Sequence, residues 1–392
     1  MTWSAIPPAD GDAAPHPDSI RRVYLDWNAT APPLPVAVEA VERVSGAFWA
    51  NPSSVHAEGR AARACLEQSR AVVARCVSAD ARDLTFTSGG TEANNLLLRS
   101  LCAKGATLLT SRLEHPSVVR VAEFLATGGV RVVWLGVEPS GQIDVDSLAS
   151  ELGHASGRVV VALQAVNHET GVIQPIEAAS ELCKQREATL HVDAVQAVGK
   201  GLDIAWDRAD TISVAAHKLG GPKGIGAAIS RGCGAPEPLL LGGAQEARVR
   251  PGTTPVALAA GFAAAADWAM ARPSRYAAIR ALRDRLEHEL VDLGGEVNGS
   301  GPRVSHVVNV SFAGVASDEF VAALDMEGVA VSGGSACSSG SVERSPVVEA
   351  MLGASRAATA IRASLGDTTT DEDVELAISA FRRVVARARA DG

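Results

Sequence analysis

The sequence predicts an α/β protein, a mostly parallel, doubly wound sheet followed by a smaller α+β C-terminal domain. Three observations carry this. From Leu84 to Gly226, short β-branched runs alternate with helical stretches, the pattern of repeated βαβ units. Within it, Arg158 to Ala165 is a continuous apolar run, typical of a strand covered on both faces. After Gly226 the alternation stops. A Gly/Pro-rich passage leads into a long helical region, Pro255 to Leu293, and then into a mixture of strand and helix. The expected division is a disordered N-terminal tail over 1–22, a large α/β domain over 23–258 and a small α+β domain over 259–392.

In chain order, Val23 to Leu25 reads as a short strand that runs into Asp26-Trp27-Asn28 and the prolines of APPLP, which stop regular structure. A helix is expected over Val36 to Phe48. Another is expected over Ala57 to Cys76, with Ser54 as its N-cap. Leu84 to Thr87 is a strand, followed by Ser88-Gly89-Gly90-Thr91 and a helix from Glu92 to Leu101. Strand, glycine turn, helix presents backbone N–H groups to an anion, although such turns also serve merely as connections. Thr107 to Thr110 leads to His115 and a helix ending at Ala126, Val130 to Leu135 is a strand, and Asp144 to Leu152 a helix. The run Arg158 to Ala165 ends at Asn167-His168-Glu169. Helix Pro175 to Glu187 then precedes strand Thr189 to Asp193, which closes on an acid.

Asp210 to Ala216 is a buried-strand pattern ending in His217-Lys218, with glycines at 220, 221, 224 and 226. Ligands in open α/β sheets bind beyond the carboxyl ends of the strands, so a lysine there is placed for chemistry. Partial desolvation lets such a lysine form a Schiff base; the plain alternative is a solvated loop lysine. The GGPKG string lacks the G-x-x-x-x-G-K-[ST] spacing of a P-loop. Further on, Gly242 to Thr254 is too long for a simple connector. Val304 to Phe312 has β character, Asp318 to Glu327 is helical, Ala360 to Leu365 is a strand carrying Arg362, and Thr370 to Ala390 is a closing helix. The glycine/serine run Val331 to Ser341 holds Cys337, has few side chains able to pack, and is expected to be mobile.

Composition bounds the function. A chain of 392 residues with 47% hydrophobic content can bury a large core, and its net charge of −9 gives a nucleic-acid partner no support. Six cysteines are scattered with no C-x-x-C pair, which argues against a metal site and fits free thiols in a cytoplasmic protein. The first twenty residues contain no apolar core of a secretory signal. The alanine-rich stretch Val256 to Ala271 carries Asp267 and reads as a buried helix rather than a membrane span.

The strand-end residues make one set. Asp193 and Lys218 follow two strands of one sheet, Gly89-Gly90-Thr91 offers an anion cradle, and His115, Asn167 and Gln196 stand at other strand ends. A lysine for a Schiff base, an acid for a pyridinium nitrogen and a phosphate cup are the parts of a pyridoxal 5'-phosphate site. The strings YLDWNATAP, NPSSVHAEGR, FTSGGTEANN, LEHPSV, VNHETGVIQP, HVDAVQAVGK, HKLGGPKGIGA, RPGT, NVSF, GGSACSSG and IRASLG run in order from about Val23 to about Thr370. On these strings the chain resembles the cysteine desulfurases of the class V aminotransferase group, fold type I, in the housekeeping and nitrogenase-type branch.

The resemblance implies that Lys218 carries the cofactor, His115 stacks on its ring, Asp193 pairs with the ring nitrogen and Gln196 bonds the ring oxygen. It implies that Gly90, Thr91 and His217 hold the phosphate, with Thr253 reaching in from a second subunit of a homodimer. Asn28, Asn167 and Arg362 would address the substrate, L-cysteine, and Cys337 would be the nucleophile that takes its sulfur. A sulfur-acceptor protein, such as an iron–sulfur scaffold, is the implied partner. Four positions depart from the pattern. Ala215 stands where a serine is usual, Ala244 where a third glycine is common, and Ala247-Arg248 where Arg-Gly is. The competing readings are a selenocysteine lyase or another class V lyase or aminotransferase, which release of sulfide plus alanine, rather than a keto acid, would separate, and a scaffold subunit without turnover.

Overall fold

The computed structural model describes residues 21–334 and 344–391. Twelve strands occur among them. In order they are β1 (Val23–Tyr24), β2 (Leu84–Thr87), β3 (Thr107–Thr110), β4 (Arg131–Trp134), β5 (Val159–Gln164), β6 (Thr189–Asp193), β7 (Thr211–Ala215), β8 (Gly226–Ser230), β9 (Glu296–Val297), β10 (Val307–Ser311), β11 (Val329–Ala330) and β12 (Ala360–Ser364). Seven form the central sheet in the order β2-β8-β7-β6-β5-β3-β4. Only β8 runs against its neighbours; the other pairings are parallel. Every residue of β2, β3, β5 and β7 is buried. Helices cover both faces of such a sheet, which is why the run around β5 shows no alternation.

The parallel direction brings the carboxyl ends of β2, β3, β5, β6 and β7 to one edge. There the chain turns into helices Gly90–Leu101 and Pro116–Thr127, into the loop at 165–174, and into the turns after Asp193 and Ala215. The helix Val256–Met270 packs on helices Pro35–Ala47 and Ala57–Arg75. Its glycine permits this approach, since a Cβ at Gly261 would lie 2.5 Å from Val41 Cγ2. Among the described residues no helix is long and apolar enough to cross a membrane.

A second apolar cluster lies on the sheet β12-β10-β9. It joins Leu286, Phe312, Phe320 and Phe381 to Val23 and Leu25. β1 pairs in parallel with β11, so the first described strand sits in the smaller body, whereas residue 23 was expected to open the large domain. Residue 258, the expected boundary, falls inside helix Val256–Met270, whose Val256, Ala259, Phe262 and Ala266 belong to the large core. The expected continuous helical region is two helices, Val256–Met270 and Arg275–Asp292, broken around Pro273, which has no N–H to offer. The helix Ala57–Arg75 is capped not by Ser54 but by His56, whose Nδ1 accepts the N–H of Gly59 at 3.2 Å. Most of the expected tail lies outside the described residues. Its last two residues are pinned: Arg21 pairs with Asp373 at 2.9 Å and Arg22 with Asp325.

Candidate active site

One cavity of about 180 Å³ opens at the carboxyl edge of the sheet. Its lining includes Asn28, Gly90, Thr91, His115, Asp193, Gln196, His217, Lys218 and Arg362. Nine residues expected from the sequence to share a site therefore do share one. Asn167, Thr253 and Cys337 are the others.

The floor is an anion cup. Helix Gly90–Leu101 starts without any side-chain cap. The first-turn N–H groups of Gly90 and Thr91 have no acceptor within the helix and carry its positive end. A side chain at position 90 would close the cup, because its Cβ would lie 2.6 Å from Val195 Cγ2. His217 and Lys218 follow β7 beside it. His217 Nδ1 meets Thr30 Oγ1 at 3.2 Å. Burial, with Lys218 next, lowers the His217 pKa to about 4, so the ring is neutral. Lys218 Nζ donates to the carbonyls of Asn28 and of Ala29, the latter at 2.9 Å.

Opposite stands the acid. Asp193, the last residue of β6, accepts from Asn94 Nδ2 at 2.8 Å through Oδ2 and from the Val195 N–H at 3.0 Å through Oδ1. Gln196 Nε2 donates to the Asn28 carbonyl at 2.9 Å, and its Oε1 is buried without a partner. His115 caps helix Pro116–Thr127. Its ring meets that of His168 edge-on, with centroids 5.2 Å apart. Burial lowers the His115 pKa, Asp193 opposes that shift and Lys218 adds to it. His168 lies well below the usual imidazole range, through burial and then through His115, Arg362 and Lys218. Its Nε2 makes no hydrogen bond and lies 3.6 Å from Glu169 Oε1. Arg362, on β12, crosses from the smaller body. It donates to Asp26 Oδ1 at 2.6 Å and to the His168 carbonyl at 3.1 Å, and its Nε is unpartnered.

The arrangement suits one kind of guest. An anionic group fits the uncapped helix terminus, a protonated ring nitrogen fits the Asp193 carboxylate, and an aldehyde fits the Lys218 amine. Unpartnered polar atoms at Gln196, His168 and Arg362 leave hydrogen-bonding capacity for it and for a substrate.

Asn167 is engaged within its own loop. Its Nδ2 donates to the Leu113 carbonyl at 3.0 Å, and its Oδ1 accepts from the N–H groups of Glu169 at 2.9 Å and Thr170 at 2.8 Å. The carboxamide holds its own loop together and does not line the cavity. Thr253 is exposed and also lies outside the cavity lining of this single chain. Cys337 falls in 335–343, outside the described residues.

Sequence reasoning passed over Asn94, Ser117, Gln164 and His168, all in the cavity wall. It also passed over Lys200 and His306, buried behind Asn28. Only His168, beside Asn167 at a strand end, carried a signal that could have found it. Glu114 is buried with Oε2 unpartnered. Burial, and then Asp193, push its carboxyl well above the usual range.

A family model described as aminotransferase class-V matches residues 23–376. The chain is 35% identical over 380 residues to the cysteine desulfurase IscS of Dictyoglomus turgidum (strain DSM 6724 / Z-1310), covering 94% of this chain and 96% of that protein. A solved structure described as a NifS-like protein superposes with a TM-score of 0.86 at 28% identity, over 93% of this chain and all (100%) of that one. Another, described as SspA in complex with cysteine, superposes with a TM-score of 0.74 at 28% identity, over 89% of this chain and 100% of that one.

Proposed function

We infer the activity from one premise: the chain belongs to the aminotransferase class-V family, and it is a pyridoxal 5'-phosphate-dependent cysteine desulfurase that converts L-cysteine to L-alanine. The observation that carries this reading is the joining of Lys218, Asp193 and an uncapped helix terminus in one cavity. The cavity belongs to a chain that matches a cysteine desulfurase over nearly its whole length.

When bound, pyridoxal 5'-phosphate supplies an electron sink for the charge left on the substrate's α-carbon. The protein supplies the rest. The N–H groups of Gly90 and Thr91 would receive the phosphate, and Asp193 would keep the ring nitrogen protonated. Lys218 would hold the cofactor through its amine, and its Nζ, once free, would take the substrate's α-proton. Arg362 grips the substrate carboxylate with its remaining donors. Cys337, as thiolate, attacks the substrate sulfur. The carbon–sulfur bond would break with its electron pair left on the β-carbon, which takes a proton, and Lys218 would return a proton to the α-carbon. Alanine leaves, and the sulfur stays on Cys337 as a persulfide for an acceptor protein such as an iron–sulfur scaffold.

The working unit is a homodimer in the cytoplasm. Leu240 and Leu241, 55% and 97% exposed, precede the loop that carries Thr253, and such apolar exposure favours a covering partner. The free thiols at Cys65, Cys76, Cys102, Cys183 and Cys233 suit a reducing compartment.

The test is the purified protein with L-cysteine, assayed for alanine, sulfide and keto acid. Alanine with sulfide is expected under a reductant. In Cys337→Ser the visible cofactor band should persist while alanine formation disappears, and in Lys218→Ala borohydride should fix no cofactor to the chain. A keto acid as the main product, or full turnover by Cys337→Ser, would overturn the reading.

A further inference from the structure

In the cavity wall a single carboxamide ties two of its groups together. Asn94, in helix Gly90–Leu101, is buried at 1% exposure. One Nδ2 hydrogen goes to Asp193 Oδ2 and the other to Ser117 Oγ, both at 2.8 Å. Its Oδ1 accepts from His191 Nε2 at 3.1 Å, and His191 Nδ1 accepts from Thr211 Oγ1 at 3.0 Å. The Ser117 hydroxyl, having accepted from Asn94, is left to donate to His115 Nδ1 at 2.8 Å. The Ser117 backbone N–H reaches the same nitrogen at 3.1 Å.

Chemistry settles every direction in this chain. A carboxylate only accepts, so the amide nitrogen of Asn94 must face Asp193. A backbone N–H only donates, so His115 Nδ1 must carry its lone pair. The His115 proton is therefore on Nε2.

We propose that Asn94 and Ser117 are positioning residues for the desulfurase reaction, forming an ordered relay from Asp193 that holds His115 neutral with its proton on Nε2. His115 then meets the reacting atoms as a proton donor at Nε2, while Nδ1 is closed to them. The role in turnover rests on the desulfurase reading; the tautomer rests on the hydrogen bonds alone. Several charged or titratable groups face this ring. They are Asp193 at the end of β6, His217 and Lys218 after β7, and His168 after β5. Nδ1 receives the Ser117 hydroxyl and the Ser117 backbone N–H, and this pairing distinguishes the two nitrogens.

The test is ¹⁵N NMR of the full chain labelled at histidine, with and without cofactor, the His115 signals being assigned by their loss in His115→Gln. Wild type should show Nδ1 unprotonated and Nε2 protonated across neutral pH. Ser117→Ala removes one donor to the neutral ring and should raise its proton affinity about tenfold. Ser117→Thr keeps the hydroxyl and should restore the wild-type titration. Asn94→Leu should move His115 in the same direction as Ser117→Ala, and the double variant no further, because the relay passes through Ser117. The alanine line within the serine pair is decisive even if Asn94→Leu does not fold. A wild-type His115 protonated on Nδ1, a Ser117→Ala titration unchanged from wild type, or an additive double variant would overturn the relay. The signals are read without cofactor as well, so a chain inactive on cysteine would sink the desulfurase reading and leave the tautomer assignment standing.

Discussion

Lys200 Nζ lies 3.3 Å from His306 Nε2, and both side chains are buried. His306 Nε2 is also 3.1 Å from Asn28 Oδ1, and the Asn28 carbonyl receives Lys218 Nζ. A second amine thus stands behind that of Lys218, across His306 and Asn28. Burial, and then the charges of Lys218 and Arg275, depress its pKa from 10.5 to about 7.

That depression sets a pH dependence of stability. Between about 7 and 10.5 the unfolded chain keeps a proton on Lys200 that the folded chain has lost. Stability from this group therefore rises with pH across the window, with a steepest slope of about 1.4 kcal/mol per pH unit, and is flat below it. Lys200→Met should remove the slope and stabilise the protein at neutral pH. Urea titrations at several pH values measure it. An unchanged slope in Lys200→Met would mean that the buried amine is charged throughout.

The strand ends were legible because β-branched runs ending in Asp193, His217-Lys218 and Gly89-Gly90 are local patterns that need no knowledge of packing. The sheet followed from the same alternation. What stayed hidden depends on contacts between distant residues. Asn94 looks like an ordinary helical asparagine until the sheet brings Asp193 and Ser117 against it, 99 and 23 residues away. Lys200 reads as a solvated lysine until Tyr276 and His306 enclose it. β1 joins the smaller body because its pairing partner, β11, comes some three hundred residues later, beyond the reach of any local signal. Asn167 shows the opposite case: it stands at a strand end as expected, but its Oδ1 is engaged by the N–H groups of its own loop, which no local pattern reveals.

Ala215 should weaken cofactor retention. Its side chain points at the cup, since a Cβ placed on Gly90 would be 3.7 Å from Ala215 Cβ. A hydroxyl there would add a charge-assisted bond to phosphate, worth about 1.5–3 kcal/mol, or roughly ten- to a hundredfold in affinity. Ala215→Ser should slow loss of the visible cofactor band on dialysis. Equal or faster loss would mean that another donor already occupies the place.

Arg248 should be a poor residue for its backbone. Glu246, Ala247 and Arg248 have φ of 46°, 53° and 70°, three successive left-handed residues without glycine. The turn is held by Glu246, which accepts from Arg70 at 2.6 and 2.7 Å and from the Phe86 N–H at 2.8 Å. Arg248→Gly relieves one left-handed side chain and should stabilise the fold by about 1 kcal/mol. Glu246→Gln should destabilise it instead, leaving the largely buried Arg70 short of a counter-charge. Thermal denaturation of the two variants checks the opposite signs.

The last prediction concerns Thr253. Its side chain is exposed and takes no part in the cavity of its own chain, yet it ends a loop too long to be a connector. A twofold interface is self-complementary, so a loop that leaves one site would enter the other. Thr253→Glu would then set a carboxylate beside the partner subunit's phosphate, and its homodimer should be inactive, as should that of Lys218→Ala. In a mixed dimer one site would carry both lesions and the other neither. Co-expression should therefore restore activity to at most half of the wild-type level. Restoration requires that each site take its lysine from one chain and its threonine from the other. A fully active monomer in light scattering, or mixed dimers that form and stay inactive, would rule the shared site out.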